Sequence, residues 1–327
     1  MGRTHESALP RKARPDIQFP PVFCLYSKMA PAKPEESKIS LTAGKTASRR
    51  HAGMCIFFEH MPEGKERSKM ADRSFHILAD GTSVPFTGGA RLEGEDTLSL
   101  FPALFRLELR NLPEEQYLRL TRAKTLSVSH GGACLVSGRI TDTFRRPAPG
   151  GTVTEIAVCA GLDLWKARVS LSVPKGTRVS ETVRRILEDS GTGISLLAVP
   201  GPDPGFLRPG CFWGRAAECA EQALSAAGCR AVLTPSGIMP VPKDGLETAW
   251  RLTENDLLEE PAFTGNTHTN ETRYMVLTTR LSGWRPGKTV EVSCGRTKAK
   301  GIIVRRAVTA DTAAGEWKTE LLAEVIQ

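Results

Sequence analysis

From Ser74 onward, hydrophobic and polar residues alternate along much of the chain. In "LFRLELRNL", Phe105, Leu107 and Leu109 fall on one side of an extended segment, and Arg106, Glu108 and Arg110 on the other. Successive strand side chains point to opposite faces, so this pattern predicts a half-buried strand. "SFHILADGTSVPF" predicts two strands joined by a turn at Asp80-Gly81. "LPEEQYLRL" predicts a short helical turn. "KTLSVSHGGACLVSGRITDTFRR" predicts two strands across Gly131-Gly132, and "GTVTEIAVCAGLDLW" a further one. Short strands at close spacing with glycine turns suggest a small barrel or sandwich.

The period then changes. "VSETVRRILEDSG" predicts a helix with Ser180 at its N-cap, Gly191 at its C-cap, and Val183, Ile186 and Leu187 on one face. A second helix is expected from about Gly214 to Ala227, ended by Gly228, after the loop "PGPDPGFLRPG". A strand, a turn at residues 235–237 and another strand follow, a helix-then-hairpin arrangement. The last part is β again. "YMVLTTRLSG" and "KTVEVSC" flank "WRPGK", the pair "TVEVSC…KGIIVRRAVTAD" comes next, and "WKTELLAEVI" alternates almost to the end. Between the flanking strands, Pro286 fixes φ for the first central position of a type II turn, and Gly287 accepts the positive φ of the second. Trp284, beside the turn, is a candidate anchor in the core or at a subunit contact.

Composition refines this picture in two places. The net charge is +8, yet residues 1–70 alone carry 13 Lys/Arg against 7 Asp/Glu. The remainder is nearly neutral, with no basic run longer than a pair, which argues against a nucleic-acid-binding face. Residues 1–70 are also rich in Pro, Lys, Ser and Ala without a sustained period. Such a segment buries too little apolar surface to offset its ordering entropy, so disorder is expected there. Met70 opens "MADRSFHILADGT", which reads as a natural start and marks residues 1–70 as an extension, native or not. No apolar run approaches the roughly 18 residues of a membrane-spanning helix, and the eight cysteines form no CxxC pair. Reduced, intracellular thiols packed as small hydrophobes are the expected state.

Candidate chemistry is sparse. His51, Cys55 and His60 are spaced loosely like metal ligands but lack a fourth, so no metal site is expected. His130 reads as a turn histidine, and "THTN" at 267–270 as a polar loop. "GRTKAKG" lacks the spacing of a phosphate-binding loop and reads as a basic hairpin tip. Glu188-Asp189 and Glu259-Glu260 are adjacent, so neither pair shares one face as a catalytic dyad would. Cys219 and Cys229 read as buried thiols, and Trp213, like Trp284, as a packing or interface anchor. No catalytic, cofactor or metal residues are expected, and no enzymatic activity.

The order of elements, rather than one motif, carries a resemblance. "SLSVPKGTRVSETVRRILEDSG", "GRAAECAEQALSAAGCRAVLTPSGIMPVP", "LTTRLSGWRPGKTVEVSC" and "GIIVRRAVTADTAAGEWKTELLAEVI" together resemble the baseplate hub proteins of contractile phage tails, the late control D-like family and its Mu-like relatives. The likeness spans about Ser74 to Gln327, with no counterpart for residues 1–70, and "GRTKAK" stands where the family often has a longer connection. It implies a mainly β chain with an α+β middle: two small barrel-like tube domains and an intervening helix-hairpin domain. The corresponding boundaries are 1–70 (the extension), 74–166, 167–243 and 244–327. It further implies a structural homotrimer that joins the tail tube, or a tube-initiator protein, to a trimeric spike. The expected place is the tail baseplate of a phage or prophage particle, reached from the host cytoplasm, with no nucleic-acid or membrane partner. The competing reading is a tail-associated module that binds or degrades cell wall.

Overall fold

In the computed structural model, residues 73–246, 249–264, 273–295, 297–313 and 315–326 are described. All belong to one unit, Cys55–Gln327. The first stretch comprises β1 (His76–Ala79), β2 (Thr82–Ser83), β3 (Ala90–Thr97), β4 (Ala103–Arg110), α1 (Glu114–Arg122), β5 (Thr125–His130), β6 (Ala133–Ala148) and β7 (Gly151–Ala160). The middle holds α2 (Leu162–Lys166), β8 (Arg168–Val173), α3 (Val179–Ser190), β9 (Gly210–Arg215), α4 (Ala216–Ser225), β10 (Cys229–Thr234) and β11 (Gly237–Pro242). The last stretch comprises β12 (Ala249–Thr253), a 3-10 turn (Glu254–Asp256), β13 (Ala262–Thr264), β14 (Tyr274–Arg280), β15 (Thr289–Cys294), β16 (Thr297–Asp311) and β17 (Trp317–Val325).

The alternation read from the sequence is present in β4: Phe105, Leu107 and Leu109 are buried, while Arg106 and Arg110 are exposed. They meet Ile77, Leu92, Leu126, Val128, Ile156 and Val158 from neighbouring strands, with Leu120 of α1 closing the cluster. Asp80 and Gly81 both have positive φ, 46° and 76°, and turn β1 into β2. In the middle, Val183, Ile186 and Leu187 of α3 pack with Ala220 and Leu224 of α4 and with Val169 and Phe212 of the β8–β9 pair. A third cluster gathers Leu252, Met275, Leu277, Trp284, Val290, Ile303 and Leu321.

The chain is mainly β, as expected, but its strands join differently. Instead of two separate barrels, 13 strands form one sheet in the order β13-β14-β17-β16-β3-β4-β7-β6-β5-β1-β2, with β15 also on β16 and β12 on β15. No closed barrel occurs among the described residues. The cause is the length of β16. Its first part pairs with β15, and Arg305–Asp311 pair antiparallel with β3 across some 210 residues of sequence. A bulge between Ile303 and Arg305 falls where one set of partners gives way to the other.

The helix boundaries also shift. Ser180 lies inside α3 rather than at its N-cap. Asp203, from the loop that follows α3, supplies the cap instead: its carboxylate accepts the Ser180 N–H at 3.0 Å and the Ser180 hydroxyl at 2.7 Å. A carboxylate near the orphan amides of a helix start is favoured by their partial positive charge. Gly191, with φ 64°, ends α3 as expected. The second helix begins at Ala216, because Gly214 belongs to β9, which pairs with β8.

Candidate functional site

The turn singled out in the sequence lies beside a fourth, smaller cluster of Val232, Val241 and Ile302 between the middle and last regions. Lys288 N donates to Arg285 O at 3.4 Å, and Gly287 between them has φ 86°. Gly287 N also donates to Ile303 O at 2.7 Å, and Ile303 N returns a bond to Lys288 O at 2.9 Å, fixing the turn to β16. Pro286 is buried, as is Gly287. A side chain at 287 would have no room: a Cβ there would lie 2.6 Å from Val241 Cγ2 and 3.3 Å from Val232 Cγ1, on the β10–β11 hairpin. The turn backbone therefore rests directly on the middle region. One residue before it, Trp284 is only 8% exposed and stands 4.4 Å from the Trp250 ring, inside the third cluster.

Two arginines bind the same turn to the first sheet region. Arg306, fully buried on β16, faces Asp96 directly across the β3 pairing. Its Nε and Nη2 donate to the two Asp96 oxygens at 2.8 and 2.7 Å. Nη1 donates to Trp284 O at 2.9 Å, and Nη2 also to Leu135 O at 2.8 Å. This uses four of the five N–H groups of a guanidinium in the planar fork that suits a carboxylate. Arg285 Nη2 donates to Cys134 O at 2.6 Å. Burial, followed by repulsion from Arg306, lowers the Arg285 pKa. A single cluster thus holds together β3, β6, β16 and the turn.

Turn chemistry points to Trp284, Pro286 and Gly287 in the sequence but not to Arg306, because "VRRAV" reads as a basic pair. Parity was the available signal: Arg306, Val308 and Ala310 lie on one side of β16, and all are buried. Trp213, expected to pack or to anchor an interface, is 83% exposed on β9. His130 Nδ1 lies 2.9 Å from Ser74 O, and its ring packs edge-on to Trp317. Cys219 and Cys229 are buried, and burial raises both thiol pKa values. Lys298 and Lys300 belong to β16 itself rather than to a hairpin tip. His51, Cys55, His60 and the "THTN" segment lie outside the described residues. What the arrangement does chemically is hold: backbone carbonyls, a carboxylate and two guanidiniums are locked in mutual hydrogen bonds.

No protein-family model matches the chain, and no curated protein matches its sequence. Its fold is that of phage-tail proteins. A tail protein from Neisseria meningitidis superposes with a TM-score of 0.59 at 11% identity, over 76% of this chain and 95% of that one. The tail protein of prophage MuSo2 from Shewanella oneidensis gives 0.57 at 9% identity, over 76% and 97%. An Escherichia coli component of the type VI secretion system, itself structurally similar to T4 bacteriophage tail proteins, gives 0.58 at 13% identity, over 77% of each chain.

Proposed function

We propose that this protein is a structural hub of a contractile phage or prophage tail baseplate, joining the tail tube to a trimeric spike. The observation that supports the reading is the extent of the fold match: 76% of this chain accounts for nearly the whole of two tail proteins, 95% and 97%. The element order of the late control D-like hubs in residues 74–327 supports it independently. In this reading residues 74–166 and 244–327 act as the two tube-facing units, which share one sheet instead of closing as barrels, and 167–243 as the middle domain. Residues 1–70 are an extension that the hub does not use. The protein works by assembly, not turnover, as a homotrimer in the virion baseplate after synthesis in the host cytoplasm. Two similar units per chain in a closed threefold ring present six units to a sixfold tube. Trp284, Pro286 and Gly287 serve inside each protomer, keeping the C-terminal unit on the middle domain.

The test is light scattering on the protein mixed with the cognate spike. Three hub chains per spike trimer are expected. A stable complex with one, two or six would overturn the trimeric hub.

A further inference from the structure

Beside the turn lies a small cavity of about 50 Å³ between the first sheet region and the end of the β10–β11 hairpin. Asp96 and Arg285 are the charged side chains that line it, and Thr97, Ser99, Ser137 and Thr234 contribute hydroxyls. The charges here do not balance. Both Asp96 oxygens are taken by Arg306, in a bidentate pair that neutralises one guanidinium. Arg285 bonds a backbone carbonyl and, among the described residues, forms no ion pair. Two guanidiniums therefore share one carboxylate, Arg306 fully buried and Arg285 half-buried beside the cavity.

We propose that this cavity is a binding site for a small monovalent anion of chloride size, held by Arg285. An arginine stays charged in a protein, so it cannot relieve its burial by losing a proton. A half-buried charge with no counter-ion beside it is disfavoured, and one negative charge brought alongside relieves it. The size also selects the ligand. At roughly 10–15 Å³ for each water-sized occupant, the cavity holds a halide with about two or three waters. A divalent oxyanion would turn an excess positive charge into an excess negative one. Burial first and Arg306 second lower the Arg285 pKa, so a negative charge placed beside its guanidinium is favoured there. An anion here would bridge the turn and the hairpin end, adding a non-covalent pin to the junction. The proposal does not rest on the hub reading, since it concerns the isolated chain.

The experiment is thermal melting of the full chain at fixed ionic strength, with chloride exchanged stepwise for gluconate, which is too large for the cavity. A saturable rise of about 2–4 °C from gluconate to chloride is expected, the shift for ligand at some tens of Kd in a chain this long. Arg285→Gln keeps a donor for Cys134 O but removes the charge, and its melting temperature should not respond to chloride. Crystals of the unsubstituted full chain grown in bromide should show an anomalous peak beside the Arg285 guanidinium. An absent chloride response, an equal response in the variant, or no bromide peak would each overturn the site; if the variant fails to fold, the bromide measurement decides alone.

Discussion

Arg306 is the largest fully buried side chain among the described residues, and its surroundings set how it must respond to substitution. Asp96→Ala leaves a guanidinium buried with only carbonyl partners, a loss expected to cost about 3–5 kcal/mol. Urea unfolding of the variant measures it; a loss below about 1 kcal/mol would mean that water reaches the pair. Gly287 offers a cleaner contrast. Gly287 and Gly176 share φ 86°, but a Cβ at 176 would meet nothing, while at 287 it would strike Val241. Gly176→Ala should cost about 1–2 kcal/mol for the left-handed backbone alone. Gly287→Ala should cost about 1–3 kcal/mol more, from forced repacking. Equal losses in the two variants would show that the turn does not bear on the hairpin. Of these residues, Pro286 and Gly287 were legible from turn chemistry, which is local. Arg306 was not, because its partners Asp96 and Leu135 lie 210 and 171 positions away. Pattern within a window cannot bring such residues together.

The elements were read best where their signals are short-range. β4 follows from strict alternation, and the end of α3 follows from Gly191. The start of α3 was misplaced because its cap comes from Asp203, more than 20 residues along the chain. β8 and β12 were missed: each acquires strand form by pairing with a distant partner, β9 and β15. The same limit explains the expected barrels, since a local pattern predicts strands but not which edge closes on which. The β1–β2 turn yields a pH prediction. The backbone N–H groups of Thr125 and then Lys124 hydrogen-bond the Asp80 carboxylate and hold its pKa below the usual value. A depressed folded-state pKa gives stability that is complete above the unfolded value, about 3.9, and is lost as pH falls through the folded one. Asp80→Asn preserves the tolerance for positive φ. It should therefore melt below the unsubstituted protein at pH 5–7, and the gap should close as the pH drops below about 3.9. A gap independent of pH would assign its effect to geometry rather than charge.

At the scale of the molecule, the first and last clusters share one 13-stranded sheet, and the middle one, on its helices and two separate two-stranded sheets, meets the last region at the turn. The β16–β3 ladder and the Arg306–Asp96 pair cross from the last region to the first, and Gly287 seats the same region on the middle. Regions tied this closely should open together rather than in sequence. A single calorimetric transition is expected for residues 73–326. Two resolved transitions, one retaining native β4 and α1 signals, would show that the junction is weaker than its contacts imply.

The 15-residue β16 is also a mechanical member. It runs alongside β15, β17 and β3 in turn, with ladder hydrogen bonds perpendicular to its axis. A pull along that axis therefore loads the bonds in parallel, so that many must rupture at once. A pull across the axis would peel them one at a time. The strand behaves as a tie-rod, stiff to tension along its length, and the bidentate pair at Arg306 acts as the rivet midway.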